Sequence, residues 1–187
     1  MASRARWARK LNVGSTLYED GMIGDMRNDR KTRPAILFLC LGNICRSPLA
    51  EGAARAAFAD AGIDATLDSA GTGDWHVGRP PDARAQAEAR RRGADIGDLR
   101  ARQLTRDDFY RFDLILAADD TNLRDARAIA PADATARLRL MLDLVRGREG
   151  DSVADPYYGD EGGFGVTWDD VSAVAAALVT DASASSG

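Results

Sequence analysis

Long apolar runs are missing from this chain. No stretch approaches the roughly 18 residues that a membrane span needs, so the chain is not expected to enter a membrane. Cysteine is scarce as well. Cys40 and Cys45 stand five positions apart, too few and too close to frame a disulfide-stapled secreted fold, and they suit a reducing compartment. Arg4, Arg6, Arg9 and Lys10 are not followed by an apolar segment, which argues against a signal peptide. The chain therefore reads as cytoplasmic. One histidine, His76, and two cysteines cannot make a four-ligand zinc site, and neither metal nor cofactor is expected. A basic stripe is absent too. Residues 1–33 carry a net +4 within a chain of net −4, leaving −8 on the rest, so nothing invites nucleic acid. There are no internal repeats.

What remains is 187 residues with 45% apolar and 29% charged side chains, the composition of one globular domain with room for a core. The most informative stretch runs from residue 35 to 54. Ala35-Ile36-Leu37-Phe38-Leu39 is a short unbroken apolar run, as in a parallel strand covered on both faces. Cys40-Leu41-Gly42-Asn43-Ile44-Cys45-Arg46 follows as a tight loop. Ser47 suits a helix cap and Pro48 its first turn. A loop at such a junction aims free N–H groups and the positive end of a helix at one point, which makes an anion site. A thiol opens this loop and a guanidinium follows six positions later, a combination suited to covalent chemistry on an oxyanion.

The alternative is a buried, inert Cys40 beside a surface Arg46. Energetics show what chemistry would require. A free cysteine titrates at about 8.5. Bringing a thiol to about 5 needs roughly 5 kcal/mol, at about 1.36 kcal/mol per unit. A helix end contributes only about 0.3–2 kcal/mol. Loop N–H groups, the Ser47 hydroxyl and the Arg46 charge would have to act together.

Beyond the loop, the pattern alternates. Helix is expected over 48–61, stopped by Gly62, then strand over 65–69, and helix over 81–92. A short helix over 105–112 carries a capping-box-like Thr105/Asp108 pair. Strand 113–118, helix 121–130 and strand 138–142 follow, the last interrupted by Arg139. Residues 146–166 read as a long functional loop. Thr167 and Asp170 look like caps of a final helix ending near 179. The expected organisation is a poorly ordered extension over 1–33, one domain over 34–181 and a disordered tail over 182–187. The fold class is α/β: a four-stranded parallel sheet with helices on both faces and the Cys40 loop at the carboxyl end of the first strand.

The segment from Ile36 to Glu51 closely resembles the signature of the low-molecular-weight protein tyrosine phosphatases. The resemblance continues through Asp68-Ser69-Ala70-Gly71-Thr72, Trp75, Val77-Gly78-Arg79-Pro80-Pro81-Asp82 and Ala101-Arg102-Gln103, and ends in Asp155-Pro156-Tyr157-Tyr158-Gly159. It implies hydrolysis of phosphotyrosine, without metal or cofactor, through a cysteinyl-phosphate intermediate. Cys40 would be the nucleophile and Arg46 the fork that holds two phosphoryl oxygens. The N–H groups of Leu41, Gly42, Asn43, Ile44, Cys45 and Arg46 would take up the phosphoryl charge. Ser47 would hydrogen-bond the sulfur. Asn43, assisted by Ser69, would lock the loop. Asp155 would be general acid and then general base, with an optimum on the acid side that a flat profile between about pH 5 and 8 would contradict. Taken alone, Asp155-Pro156 is equally a turn.

Trp75, Tyr157 and Tyr158 would wall a slot deep enough for a phenyl phosphate, their alternative being packing or a surface turn. The resemblance also implies that such tyrosines can be phosphorylated. For Cys45 it implies a reversible disulfide with Cys40, the alternative being a packed loop residue. His76 reads as a residue of the pocket lip.

Two departures are visible. Leu99 stands where many members carry a histidine below the loop, and Ala118 where methionine is common. Three rival readings remain. An arsenate reductase on this fold needs a relay cysteine that is absent. Arginine phosphatases carry threonine where Ile44 stands and lack the tyrosine pair. An inactive phosphate-binding module sits badly with intact Cys40, Arg46, Ser47 and Asp155. Expected partners are phosphotyrosine-bearing proteins, a tyrosine kinase and its substrates among them, and the protein is expected to be a monomer or weakly self-associating.

Overall fold

The computed structural model describes residues 33–159 and 162–184. Nearly all of the expected N-terminal extension and the last three residues of the expected tail lie outside them. Four strands form one parallel sheet in the order β2-β1-β3-β4: β1 Ala35–Cys40, β2 Thr66–Gly71, β3 Leu114–Ala117 and β4 Arg137–Leu140. Between and after them come helices α1 Arg46–Ala61, α2 Ala83–Arg91, α3 Asp108–Arg111, α4 Asp120–Ile129 and α5 Gly162–Ala184. The α/β class and four-stranded parallel sheet expected from the sequence are those observed.

β1 explains the layering. It is buried along its whole length, and its side chains alternate between two cores. Ile36, Phe38 and Cys40 point into the larger core, among Leu49, Ala53, Phe58, Trp168 and Leu178 of α1 and α5. Ala35, Leu37 and Leu39 point into a second core with Phe109, Phe112 and Ala126 of α3 and α4. Alanines at 50, 53, 54 and 57 let α1 lie close against α5. Gly62 adopts the left-handed conformation (φ 70°) and ends α1 as expected.

Several boundaries differ from the sequence reading. α5 begins at Gly162 rather than at a Thr167/Asp170 cap, and it continues to Ala184, three residues into the stretch read as tail. Gly162, Gly163 and Gly165 are poor helix formers, but Phe164, Trp168, Val171, Ala175 and Leu178 bury one continuous stripe, and that packing prevails. Thr167 is a buried interior residue whose hydroxyl donates to the Gly163 and Ala154 carbonyls, and Asp170 pairs with Arg148. Arg33, placed in the extension by the sequence reading, pairs with Asp64 at 3.3 Å and donates to the Ala65 carbonyl. Of the predicted helix over 105–112 only Asp108–Arg111 is helical. Thr105 lies outside it, its N–H and hydroxyl both donating to the Asp108 carboxylate. Arg139 does not interrupt β4; the strand gives way to a 3-10 turn at Met141. Among the described residues no helix is long and apolar enough to cross a membrane.

Candidate active site

The carboxyl end of β1 opens into the 41–45 loop, and neighbouring segments hold that loop by its carbonyls. Thr72 N–H donates to Cys40 O, Gly73 N–H to Leu41 O, Asp82 N–H to Ile44 O and Leu49 N–H to Cys45 O, at 2.8–3.1 Å. In a trans peptide the next N–H points opposite to the carbonyl. The N–H groups of Leu41, Gly42, Cys45 and Arg46 therefore face away from these anchors, and those of Cys45 and Arg46 stand at the N-terminus of α1. Asn43 takes the left-handed conformation (φ 54°), which asparagine tolerates better than most side chains, and its N–H donates to Cys40 Sγ at 3.3 Å.

The side chains beneath the loop form one connected network. Cys40 Sγ lies 3.0 Å from Ser47 Oγ. Asn43 Nδ2 donates to Ser47 Oγ and to Ser69 Oγ, both at 2.9 Å, and its Oδ1 accepts Arg102 N–H at 2.9 Å. Ser69 Oγ donates to Glu51 Oε2 at 2.6 Å. Ser47 is thus not the helix cap that its sequence position suggested. α1 starts two residues before the expected Pro48, at Arg46, without a side-chain cap, and Ser47 is fully buried with its hydroxyl turned back to the sulfur. Leu99 packs against the larger core and brings no polar group to this network, and Ala118 is buried in the same core.

Arg46 is the buried cation of the site. Its Nη1 donates to Asp119 Oδ2 at 2.6 Å and to the Val153 carbonyl at 3.3 Å, and its Nη2 to Asp155 Oδ2 at 3.1 Å. Burial opposes its charge, but Cys40, Asp119 and Asp155 outweigh that and keep the guanidinium firmly protonated. Asp155 also accepts Tyr157 N–H through Oδ1 at 3.1 Å, the Asx-type turn expected of an Asp-Pro pair. Cys45 contrasts with its neighbour. Burial first, then the negative charges of Asp82, Cys40 and Asp155, push its thiol far up, so it stays neutral.

Cys40, Cys45, Arg46 and Asp155 line a cleft of about 300 Å³, with the Ser47–Asn43–Ser69 network behind it. Leu41, Gly42, Ile44 and His76 form part of its wall, and Trp75, Tyr157 and Tyr158 stand at its mouth with 68%, 37% and 93% of their surfaces exposed. The two tyrosine rings meet edge to face, 4.9 Å between centroids. Arg84 braces this wall. It donates to the Tyr157 carbonyl at 3.2 Å, lies over the Tyr157 and Phe164 rings, and is tied to Asp82, the N-cap of α2. Every site residue expected from the sequence therefore meets at one place.

Four others were missed. Asp119 had a signal, an acidic pair at the end of a buried strand where ligands gather. Glu51 had one as well, a carboxylate on the buried side of an alanine-rich helix, four residues before Arg55. Arg102 had only its place in the Ala101-Arg102-Gln103 motif, and Arg84 had none separable from surface arginine. Among the described residues no group of three or more His, Cys, Asp or Glu is placed to hold a metal ion.

Gly71 ends β2 directly beneath this loop. A Cβ there would lie 2.8 Å from the Leu41 carbonyl, 3.0 Å from that of Gly73 and 3.2 Å from Gly42 C, all backbone. Gly71→Ala is expected to lose about 1–3 kcal/mol of stability together with activity, because the loop itself must shift. Thermal denaturation alongside kcat/KM checks this, and wild-type values in both would contradict it.

Comparison with known proteins agrees with this geometry. The family model for the low molecular weight phosphotyrosine protein phosphatase matches residues 35–185. A low molecular weight phosphotyrosine protein phosphatase of Schizosaccharomyces pombe is 43% identical over 133 residues, covering 70% of this chain and 85% of the relative. The crystal structure of YfkJ from Bacillus subtilis superposes with a TM-score of 0.77 at 34% identity, covering 84% of this chain and 99% of the other. A Drosophila arginine phosphatase superposes with a TM-score of 0.73 at 29% identity over 78% of this chain and 95% of its own.

Proposed function

The chain belongs to the low molecular weight phosphotyrosine protein phosphatase family, whose members are hydrolases, and from that premise we propose that it hydrolyses phosphotyrosine in proteins through a cysteinyl-phosphate intermediate. The supporting observation is the meeting of the Cys40 sulfur, the Arg46 guanidinium and the Asp155 carboxyl in one cleft, with Ser47 on the sulfur.

In the first step the Cys40 thiolate attacks phosphorus, the bond to the phenol oxygen breaks, and Asp155 gives its proton to that oxygen. Arg46 changes partners as the phosphoryl group arrives. Its Nη1 stays on Asp119, while phosphoryl oxygens replace Asp155 on Nη2, which frees the carboxyl to turn to the leaving group. The loop N–H groups take up charge on the equatorial oxygens. In the second step water attacks phosphorus, Asp155 removes its proton, and the sulfur leaves as thiolate, stabilised by the Ser47 hydroxyl and Asn43 N–H.

The aromatic mouth supports a phenyl phosphate over the shorter phosphoserine. The superposition on an arginine phosphatase keeps phosphoarginine as the second reading, against which stand Ile44 in the cleft wall and the exposed Tyr157-Tyr158 pair. Peptides bearing phosphotyrosine, phosphoserine or phosphoarginine decide between them. Phosphotyrosine is expected to be turned over about 10²-fold faster than either of the others. Turnover of phosphoarginine alone would overturn the assignment. Partners in this reading are phosphotyrosine proteins, including a tyrosine kinase and its substrates. The protein acts as a monomer or weak self-associate in the reducing cytoplasm, where two free thiols persist.

A further inference from the structure

The hydrogen-bond network under the sulfur does not stop at Ser69. Glu51, buried on α1, accepts Ser69 through Oε2, and its Oε1 pairs at 2.5 Å with Nη2 of Arg55, one turn further along the helix. The Arg55 side chain is 44% exposed, and its Nη1 also reaches Asp98 at 3.6 Å. An ion pair at the outer end and hydrogen bonds within thus link a surface cation to the nucleophile through four side chains, Glu51, Ser69, Asn43 and Ser47.

Counting hydrogens gives it a direction. An ionised carboxylate has none to give, so Ser69 must donate to Glu51 and can only accept from Asn43. Arg102 N–H on Asn43 Oδ1 fixes which end of that amide is nitrogen, and its second N–H goes to Ser47 Oγ. Ser47, already an acceptor, has one hydrogen left, with the Cys40 sulfur at 3.0 Å and the Ala70 carbonyl at 3.3 Å to receive it. We infer that Arg55 is a positioning residue for the phosphatase reaction, holding Glu51 ionised so that Ser69 donates to it and stays a fixed acceptor for Asn43, whose amide then holds Ser47 with its hydrogen free for the Cys40 sulfur. The inference rests on the proposed reaction. A Glu51 protonated on Oε2 would donate to Ser69 Oγ instead of accepting from it, leaving the Ser69 hydrogen without its acceptor and Ser69 free to turn away from Asn43.

The charges around Glu51 agree. Burial above all, and Asp68 on β2, push its carboxyl up, while Ser69 and Arg55 pull it down, and it ends above the ordinary glutamate range. Asp68 is itself paired with Arg102 at 2.9 Å, and Asp98 shares Arg55. Removing Arg55 leaves burial and Asp68 less opposed, so Glu51 takes up its proton at a higher pH. The loss must therefore grow as pH falls.

The test compares Arg55→Ala, Arg55→Lys and Glu51→Gln with wild type between pH 5 and 8, on protein shown to be folded at each pH. For Arg55→Ala, kcat/KM relative to wild type should fall about tenfold near pH 5 and stay within about twofold near pH 8. Arg55→Lys should restore the wild-type profile. Glu51→Gln should be impaired by the same factor at every pH. Alkylation of Cys40 by iodoacetate, which needs no turnover, should slow in Arg55→Ala with the same pH dependence. A ratio for Arg55→Ala that is constant with pH, or Arg55→Lys as impaired as Arg55→Ala, would overturn the role. Since the alkylation arm is independent of substrate, failure of this inference and failure of the phosphotyrosine assignment can be told apart.

Discussion

Cys40→Ser is expected to lose turnover of phosphotyrosine by about 10⁴-fold or more, to the limit of detection. The hydroxyl is isosteric enough for the loop to keep its shape. Asn43 N–H and Ser47 Oγ, which meet the sulfur at 3.3 and 3.0 Å, would meet an oxygen in nearly the same place. What changes is chemistry. A serine hydroxyl holds its proton where a thiol gives it up, and no histidine or other general base is bonded to this position to take it. The variant should therefore fold with wild-type thermal stability and still bind inorganic phosphate, since Arg46 and the loop N–H groups are untouched. Assays of kcat and of phosphate inhibition on the same preparation check both halves. Residual activity within tenfold of wild type would mean that Cys40 is not the nucleophile.

Asp155→Ala is the second large effect. A positioned general acid is worth about 10²–10⁴-fold, and a loss of that order is expected for phosphotyrosine, whose phenolate is a poor leaving group. The loss should shrink for an aryl phosphate whose phenol is acidic enough to leave unprotonated, such as nitrophenyl phosphate. That dependence separates proton donation from a mere change of shape. The distinction matters because Asp155 also holds Arg46 Nη2 at 3.1 Å and the Tyr157 N–H at 3.1 Å, so its removal loosens both the cation and the aromatic wall. A loosened wall would slow all substrates alike. Equal losses for phosphotyrosine and nitrophenyl phosphate, measured as kcat/KM, would contradict the general-acid role.

How far such a site can be read from the chain depends on where its information is stored. The apolar run of β1 and the thiol, glycine, asparagine and arginine of the loop are contiguous, so their geometry is largely local and the sequence displays it. Asp155 lies more than a hundred residues away from Cys40 and became legible only through the resemblance of its surroundings to a known family, since an Asp-Pro pair by itself marks a turn. Ser47 shows two sources of information side by side. A serine ahead of a proline and an apolar helix is a good cap on local grounds, whereas the folded chain starts the helix two residues before the expected Pro48 and puts the sulfur 3.0 Å from the Ser47 hydroxyl, the bond that the resemblance implied. The start of α5 was hidden for the opposite reason. Three glycines within four residues suggest loop, and only the partner surfaces, α2 at its start and α1 along its length, both invisible to local pattern, make the helix stable there. Asp119 and Glu51 each stood out locally, but nothing local named their partners. Their roles follow from the side chains that the parallel sheet brings against them, Arg46 in one case and Ser69 in the other.

The whole account depends on Cys40 being the attacking sulfur while Cys45, buried among anions, keeps its proton. The rate of alkylation of the native protein by iodoacetate as a function of pH tests this most directly, with the modified residue identified by mass. One thiol, Cys40, should react at close to its full rate already at neutral pH, and inorganic phosphate should protect it. Reaction that rises only in alkaline solution, or that is indifferent to phosphate, would contradict the account.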